Sequence, residues 1–224
     1  MQRIIAYPYG ALWYVQASII AMLLLYPFIR RHRINTAIVI GVVLYIFALL
    51  CDNYFFVAEK IGIDGLINVY MRFFVSARNG IFTGFLLLAL GIKCGELEGK
   101  WTRRTISFVL ALAFLVYISE ILFIAHMGEP RDDGSLYITH LILVPALLLY
   151  LTGIKIECRR IHIQLRNYST GIYLLHRIMI LLVSVIVGEV ANSILYYFIV
   201  VGSSAMICAT VYNVKKEPFY SLLK

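Results

Sequence analysis

Apolar residues gather into seven runs along the chain: Ala11 to Ile29, Thr36 to Val57, Phe73 to Cys94, Thr105 to Ile124, Leu136 to Ile154, Tyr168 to Val190 and Ser193 to Tyr212. Each is near the roughly 20 residues that a helix needs to cross about 30 Å of hydrocarbon. The pattern predicts an all-α fold, a polytopic transmembrane helix bundle of about seven spans. Apart from the stretch Ala58 to Arg72, the connections between runs are short. No soluble domain has room to fold, so residues 1–224 are expected to form a single transmembrane domain whose working surface is built from helices and their ends.

Composition points the same way. Of 224 residues, 62% are hydrophobic and 14% charged, where a soluble domain averages about half apolar and about a quarter charged. The lysines and arginines fall unevenly. Alternate connections collect Arg30, Arg31 and Arg33, then Lys93, Lys100, Arg103 and Arg104, then Lys155, Arg159, Arg160 and Arg166, then Lys215, Lys216 and Lys224. The opposite side has Arg3, Lys60, Arg72, Arg78 and Arg131. Because the basic side of a membrane protein faces the cytoplasm, this split predicts a multi-pass cell-membrane protein with a cytoplasmic C-terminus. The net charge of +8 is then a topology signal with some attraction to anionic lipid. The bilayer is the expected partner, and nucleic acid is not. In this orientation the first span runs from outside to inside, an oddity that an odd number of further spans would remove.

Cysteines and histidines offer little chemistry by spacing. Cys51, Cys94, Cys158 and Cys208 are isolated, and the five histidines form no metal-ligand pattern, so no metal and no disulfide is expected. The informative residues are polar groups in or beside the spans, since an ionisable side chain in hydrocarbon is costly without a partner or a wet cavity. The apolar run from Gly80 to Ile92 rises only about 20 Å as a helix. This predicts that the third helix begins near Phe73 and carries Arg78 and Asn79 below the outer interface. Gly80 and Gly84, four apart, would let a neighbouring helix approach closely. Arg78 either snorkels to the headgroups or lines an internal site for an anionic group.

On the same side lie Glu120 and His140. Glu120 needs a cationic or hydrogen-bonding partner, for which Arg78 and His140 are at a compatible depth. Either Glu120 or His140 is alternatively a general acid or base in a wet vestibule. Opening the sixth span, Tyr173 precedes His176 and Arg177 by three and four residues, which places it near both on a helix. His176 reads as an interhelical hydrogen bonder or a catalyst, and Arg177 as a snorkelling charge or a site cation.

Three segments carry a family resemblance. Leu12-Trp13-Tyr14-Val15-Gln16-Ala17, then Ala77-Arg78-Asn79-Gly80-Ile81-Phe82 with Gly84 and Gly91, then Ser169-Thr170-Gly171-Ile172-Tyr173-Leu174-Leu175-His176 resemble, in order and spacing, landmarks of the acyltransferase-3 family of integral membrane acyltransferases. The resemblance implies transfer of an acyl group, often acetyl, from acyl-CoA to a hydroxyl of a glycan or other cell-envelope acceptor, with no bound cofactor. It also implies a bundle like the last seven of ten helices, which would remove the topological oddity. Arg78 and Asn79 match the Arg-Asn-Gly motif and His176 the late histidine, with Tyr173 and Arg177 alongside. All five are expected to line a substrate or acyl-donor site, and Arg159 and Arg160 with Arg177 to meet the phosphates of CoA.

No segment matches the essential histidine of the family's first helices. No catalytic histidine is therefore carried over, and His140 and Glu120 stay the candidates by position. A fragment, a split gene product or a degenerate relative would each fit, as would a partner that supplies the missing helices. The competing class is a transporter or channel subunit with Arg78, Glu120 and Arg177 along its path, although no inverted repeat is evident.

Overall fold

Helices α1 (Trp13–Arg30) and α2 (Ile34–Cys51) form an antiparallel pair joined by a three-residue turn. The turn closes through Arg33 N–H to the Phe28 carbonyl at 2.9 Å, with His32 in the left-handed region at φ 52°. Two short helices follow, α3 (Phe55–Lys60) and α4 (Asp64–Phe73), then a π-helical turn Gly80–Gly84 continuous with α5 (Phe85–Leu97). Helices α6 (Arg103–Met127), α7 (His140–Thr152), α8 (Arg160–Val187) and α9 (Ser193–Val214) complete the chain. The computed structural model describes residues 13–74, 76–127, 131–132, 134–154, 160–187 and 193–214.

The protein is an all-α, multi-pass membrane protein. Of the described residues 84% are helical, and no strand occurs among them. Five helical stretches are long and apolar enough to cross a bilayer, and two shorter apolar ones, Tyr14–Arg30 and His140–Thr152, bring the described total to the seven that the pattern predicts. Helix α6 shows the inverted logic of a lipid solvent: Phe108 is 70% and Leu122 66% exposed, since hydrocarbon is as good a neighbour for them as protein.

The chain divides into two compact units, Met1–Lys155 and Ile156–Lys224. In the first, small residues let backbones meet. A Cβ on Gly80 would lie 2.5 Å from the Ala17 carbonyl oxygen, and one on Gly84 3.3 Å from the same atom and 3.4 Å from Ala21 Cβ. The close approach expected of Gly80 and Gly84 is therefore made against α1, where Ala17 and Ala21 repeat the four-residue spacing. Around this crossing pack Leu25, Ile34, Ala37, Phe85 and Ala89, and further along Tyr45, Ala48, Leu49, Ile67 and Leu86. In the second unit, α8 and α9 pack through Met179, Val183 and Val200, and Tyr196 Oη donates to the Ile180 carbonyl at 3.0 Å.

The third span starts later than the apolar pattern predicts. Phe73 ends α4 instead of opening a spanning helix, and Phe74 and Asn79 are extended, Asn79 at φ −136°, ψ −178°. The Asn79 carboxamide oxygen accepts the N–H groups of Ile81 and Phe82 at 3.0 and 3.1 Å, two of the donors that a helix start leaves orphaned. The expected connection Ala58 to Arg72 is mostly helical. In α4 it buries Ile67 while leaving Leu66, Val69 and Phe73 exposed, the two-faced pattern of a helix lying along an interface.

Candidate functional site

The polar residues of the first unit converge where residues 52–54, 76–79, 131–132 and 134–139 meet. Helix α7 has 13 residues, about 20 Å at 1.5 Å per residue, so its approach from residue 134 to 139 runs as non-helical backbone. Such backbone survives at membrane depth only if its polar groups find protein partners. Two carboxylates supply them. Asp52, only 1% exposed, accepts the N–H of Gly134 at 2.9 Å and those of Ser135 and Leu136 at 3.0 Å. Glu120 accepts Ile138 N–H at 2.6 Å, Thr139 N–H at 2.9 Å, the Thr139 hydroxyl and the Tyr54 hydroxyl. Asn53 and Tyr45 add donors to the Leu136 and Tyr137 carbonyls at 2.8 and 2.9 Å.

A carboxylate has about four acceptor positions, and Glu120 uses four with Tyr54, Ile138 and two from Thr139. The partner expected from depth, Arg78 or His140, is thus replaced by a tyrosine and a helix entry. Burial, and then the hydrogen bond to Glu120, push the Tyr54 phenol up from its ordinary value, which keeps it a donor at neutral pH.

Linked to this clamp through Ser135 is the Arg78 layer. Ser76 Oγ donates to the Asp132 carboxylate and accepts Arg78 N–H at 3.0 Å, while Arg78 Nη1 donates to Ser135 Oγ at 3.3 Å. Asn79 Nδ2 donates to Tyr70 Oη at 3.0 Å and to the Ser76 carbonyl at 3.2 Å. Burial pushes the Tyr70 phenol up as well. Arg131 donates to Asn68 and lies 4.2 Å over the Phe55 ring, a geometry in which the ring face attracts the cation. The half-buried Arg78 thus sits in a layer of hydroxyls, an amide and a carboxylate contributed by three separate stretches of chain.

His140, at the start of α7, packs between two rings: Tyr117, tilted 35° at 5.3 Å, and Tyr137, edge-on at 5.4 Å between centroids. Tyr173, His176 and Arg177 lie in the second unit on α8, where the rings of Tyr173 and His176 are 5.7 Å apart. The His176 Nδ1 is 2.5 Å from the Tyr173 carbonyl oxygen. Arg177 is half-buried and its Nε meets no acceptor among the described residues. Arg159 and the C-terminal residues 215–224 lie outside the described residues, as does the Arg160 side chain. No group of metal-ligating side chains occurs among the described residues. Asp52 is the residue that sequence reasoning missed. A single aspartate after an apolar run reads as the end of a span, and nothing local points to donors more than 80 residues away.

A polytopic helical fold in which a half-buried arginine sits in a polar layer describes a membrane protein, and comparison with known proteins narrows the class. The profile of the acyltransferase-3 family, described as an acyltransferase domain, matches residues 4–213, across both units. The chain belongs to this family. Two proteins of Enterococcus faecalis, each named amino-acid racemase, are also similar. One is 25% identical over 216 residues, covering 92% of this chain and 30% of that protein; the other is 23% identical over 128 residues, covering 57% and 18%. The chain thus spans less than a third of the length of these curated relatives. No solved structure matches it.

Proposed function

We propose that this chain transfers an acyl group, acetyl in the first instance, from acyl-CoA to a hydroxyl of a cell-envelope glycan or related acceptor, and that its two units act as one acyltransferase domain. The observation that carries the proposal is the family match over residues 4–213, which takes in both the Arg78 layer and α8. Attack of an alcohol on a thioester needs a proton acceptor and a donor for the developing oxyanion. Arg78 is assigned the donor's part. Its guanidinium presents several N–H groups in a fixed fork, and one of them meets Ser135. Asn79 fixes the backbone on which Arg78 stands. Asp52 and Glu120 act at one remove, by shaping the segment that holds Ser135 and enters α7. Tyr173, His176 and Arg177 belong to the substrate-facing surface of α8.

The test is transfer of label from radiolabelled acetyl-CoA into envelope glycan by membranes containing the full chain, compared with membranes lacking it. Chain-dependent label in the glycan is the expected result. Chain-dependent movement of a solute without acyl transfer would replace this reading by a transporter.

A further inference from the structure

Helix α5 stops at Leu97, residues 98–102 turn the chain, and α6 starts at Arg103, with α7 packed against both helices. The three leave a wedge between them, a cavity of about 210 Å³ lined by Leu97, Trp101, Ile106, Val109, Ala146 and Leu149 among others. Apart from the Trp101 indole, every side chain of its wall is apolar. The volume falls short of the roughly 300–1,000 Å³ of sites that enclose a whole small molecule, so it suits part of one. A wall without polar groups gives water nothing to bond, and hydrocarbon fills it at least cost.

The wedge has the depth of one leaflet. Its wall on α7 runs from Leu141 to Leu149, eight residues or about 12 Å of helix, against about 15 Å for half of a hydrocarbon core of roughly 30 Å. Its Trp101 end is positively charged. Trp101 is 51% exposed, which suits an indole at headgroup level, and Lys100 and Arg103 flank it in the chain. Arg103 precedes Ile106 by three residues and so shares its face of α6. The Arg103 Cζ lies 5.6 Å from the centre of the Tyr150 ring, so the guanidinium reaches from α6 to α7 beside Leu149. Arg104, two residues from Ile106, is turned about 200° away around the helix. Of the acids in this segment Glu96 pairs with Lys93 at 2.8 Å, which leaves Glu98 against Lys100, Arg103 and Arg104.

We propose that the wedge binds one anionic phospholipid, with an acyl chain in the cavity and the phosphate against Arg103 and Lys100. An apolar slot one leaflet deep with cations at its end reproduces the division of such a molecule into tail and headgroup, and basic clefts between spanning helices hold acidic lipid headgroups. A zwitterionic phospholipid offers the same chain but brings its own cation to the phosphate, so Arg103 gains less from it. The site uses neither Arg78 nor α8 and is independent of the acyl-transfer reading.

Trp101 reports on what lies beside it. The full chain carrying Trp13→Phe, which removes the other of its two tryptophans, is reconstituted in phosphatidylcholine vesicles. Phosphatidylglycerol brominated along its acyl chains should quench Trp101 fluorescence with a binding constant at least about fivefold above that of brominated phosphatidylcholine, since one basic side chain beside anionic lipid is worth about that factor. Arg103→Gln should lower this ratio about fivefold. Arg103→Lys, which keeps the charge, should retain it, and Arg104→Gln should leave it unchanged. Ala146→Phe, which fills the wedge, should weaken both the quenching and the preference. Equal quenching by the two lipids would show that the wedge takes any hydrocarbon and overturns the proposal. Equal losses in Arg103→Gln and Arg104→Gln would reduce the effect to a general attraction between a basic surface and anionic lipid, and overturn it too. An undiminished preference in Ala146→Phe does the same, because the cavity would then play no part.

Discussion

The buried carboxylate of Asp52 accepts the backbone N–H of Ser135 at 3.0 Å, and the hydroxyl of the same serine accepts from Arg78 at 3.3 Å. A residue at the end of one spanning helix thus fixes the backbone that meets the arginine preceding another. Asp52→Leu leaves three backbone donors without acceptors, each worth about 1–3 kcal/mol when buried and unsatisfied. The expected outcome is severe loss of folded protein, read as thermal unfolding in detergent micelles. Asp52→Asn, which keeps one acceptor oxygen, should fall between Leu and wild type. Equal stability of all three would contradict the clamp.

A second prediction separates a structural from a catalytic Glu120. Glu120→Gln puts an amide N–H₂ where a carboxylate oxygen now accepts two donors. We expect it to cost about 1–3 kcal/mol of stability while activity per folded molecule stays near wild type. A stable Gln variant that has lost acyl transfer would make Glu120 a general acid or base.

Glycine positions give a third, read from packing alone. Gly80→Ala drives a Cβ to 2.5 Å from the Ala17 carbonyl oxygen and 2.8 Å from Ile20 Cβ, so α1 must move. Gly91, inside α5, has nothing within 4 Å of the point where a Cβ would stand, and alanine there should gain up to about 1 kcal/mol from helix propensity. Comparing the folded yield of the two variants checks this. An innocuous Gly80→Ala would remove the close crossing.

Much of the architecture was legible because bilayer thickness converts run length directly into helices. The seven runs and the small-residue crossing at Gly80 and Gly84 follow from spacing. The third span misled because apolar residues continue from Phe73 through Val75, and hydropathy does not register a chain that leaves one helix and enters another. The capping potential of Asn79 before Gly80 was the signal for the break. Partners were harder. Depth along a helix says nothing about azimuth, so Glu120 could be placed level with Arg78 without revealing that it faces Tyr54 and the entry to α7. Asp52 went unnoticed because its ligands are backbone N–H groups, which leave no mark in side-chain identity.

The account depends most on Arg78 acting on substrate through its planar fork. The structure changes the basis for that expectation: Arg78 stands on non-helical backbone before the helix, with its N–H on Ser76 at 3.0 Å, and is not five residues into a span. Lysine keeps the charge and much of the reach but loses the paired donors. The deciding measurement is the initial rate of acyl transfer from acetyl-CoA by Arg78→Lys membranes, normalised to folded protein. The account predicts at least about a tenfold loss, equivalent to roughly 1.4 kcal/mol of transition-state stabilisation, with the amount of folded protein unchanged. A wild-type rate in the lysine variant, or a loss that merely tracks unfolded protein, would contradict it.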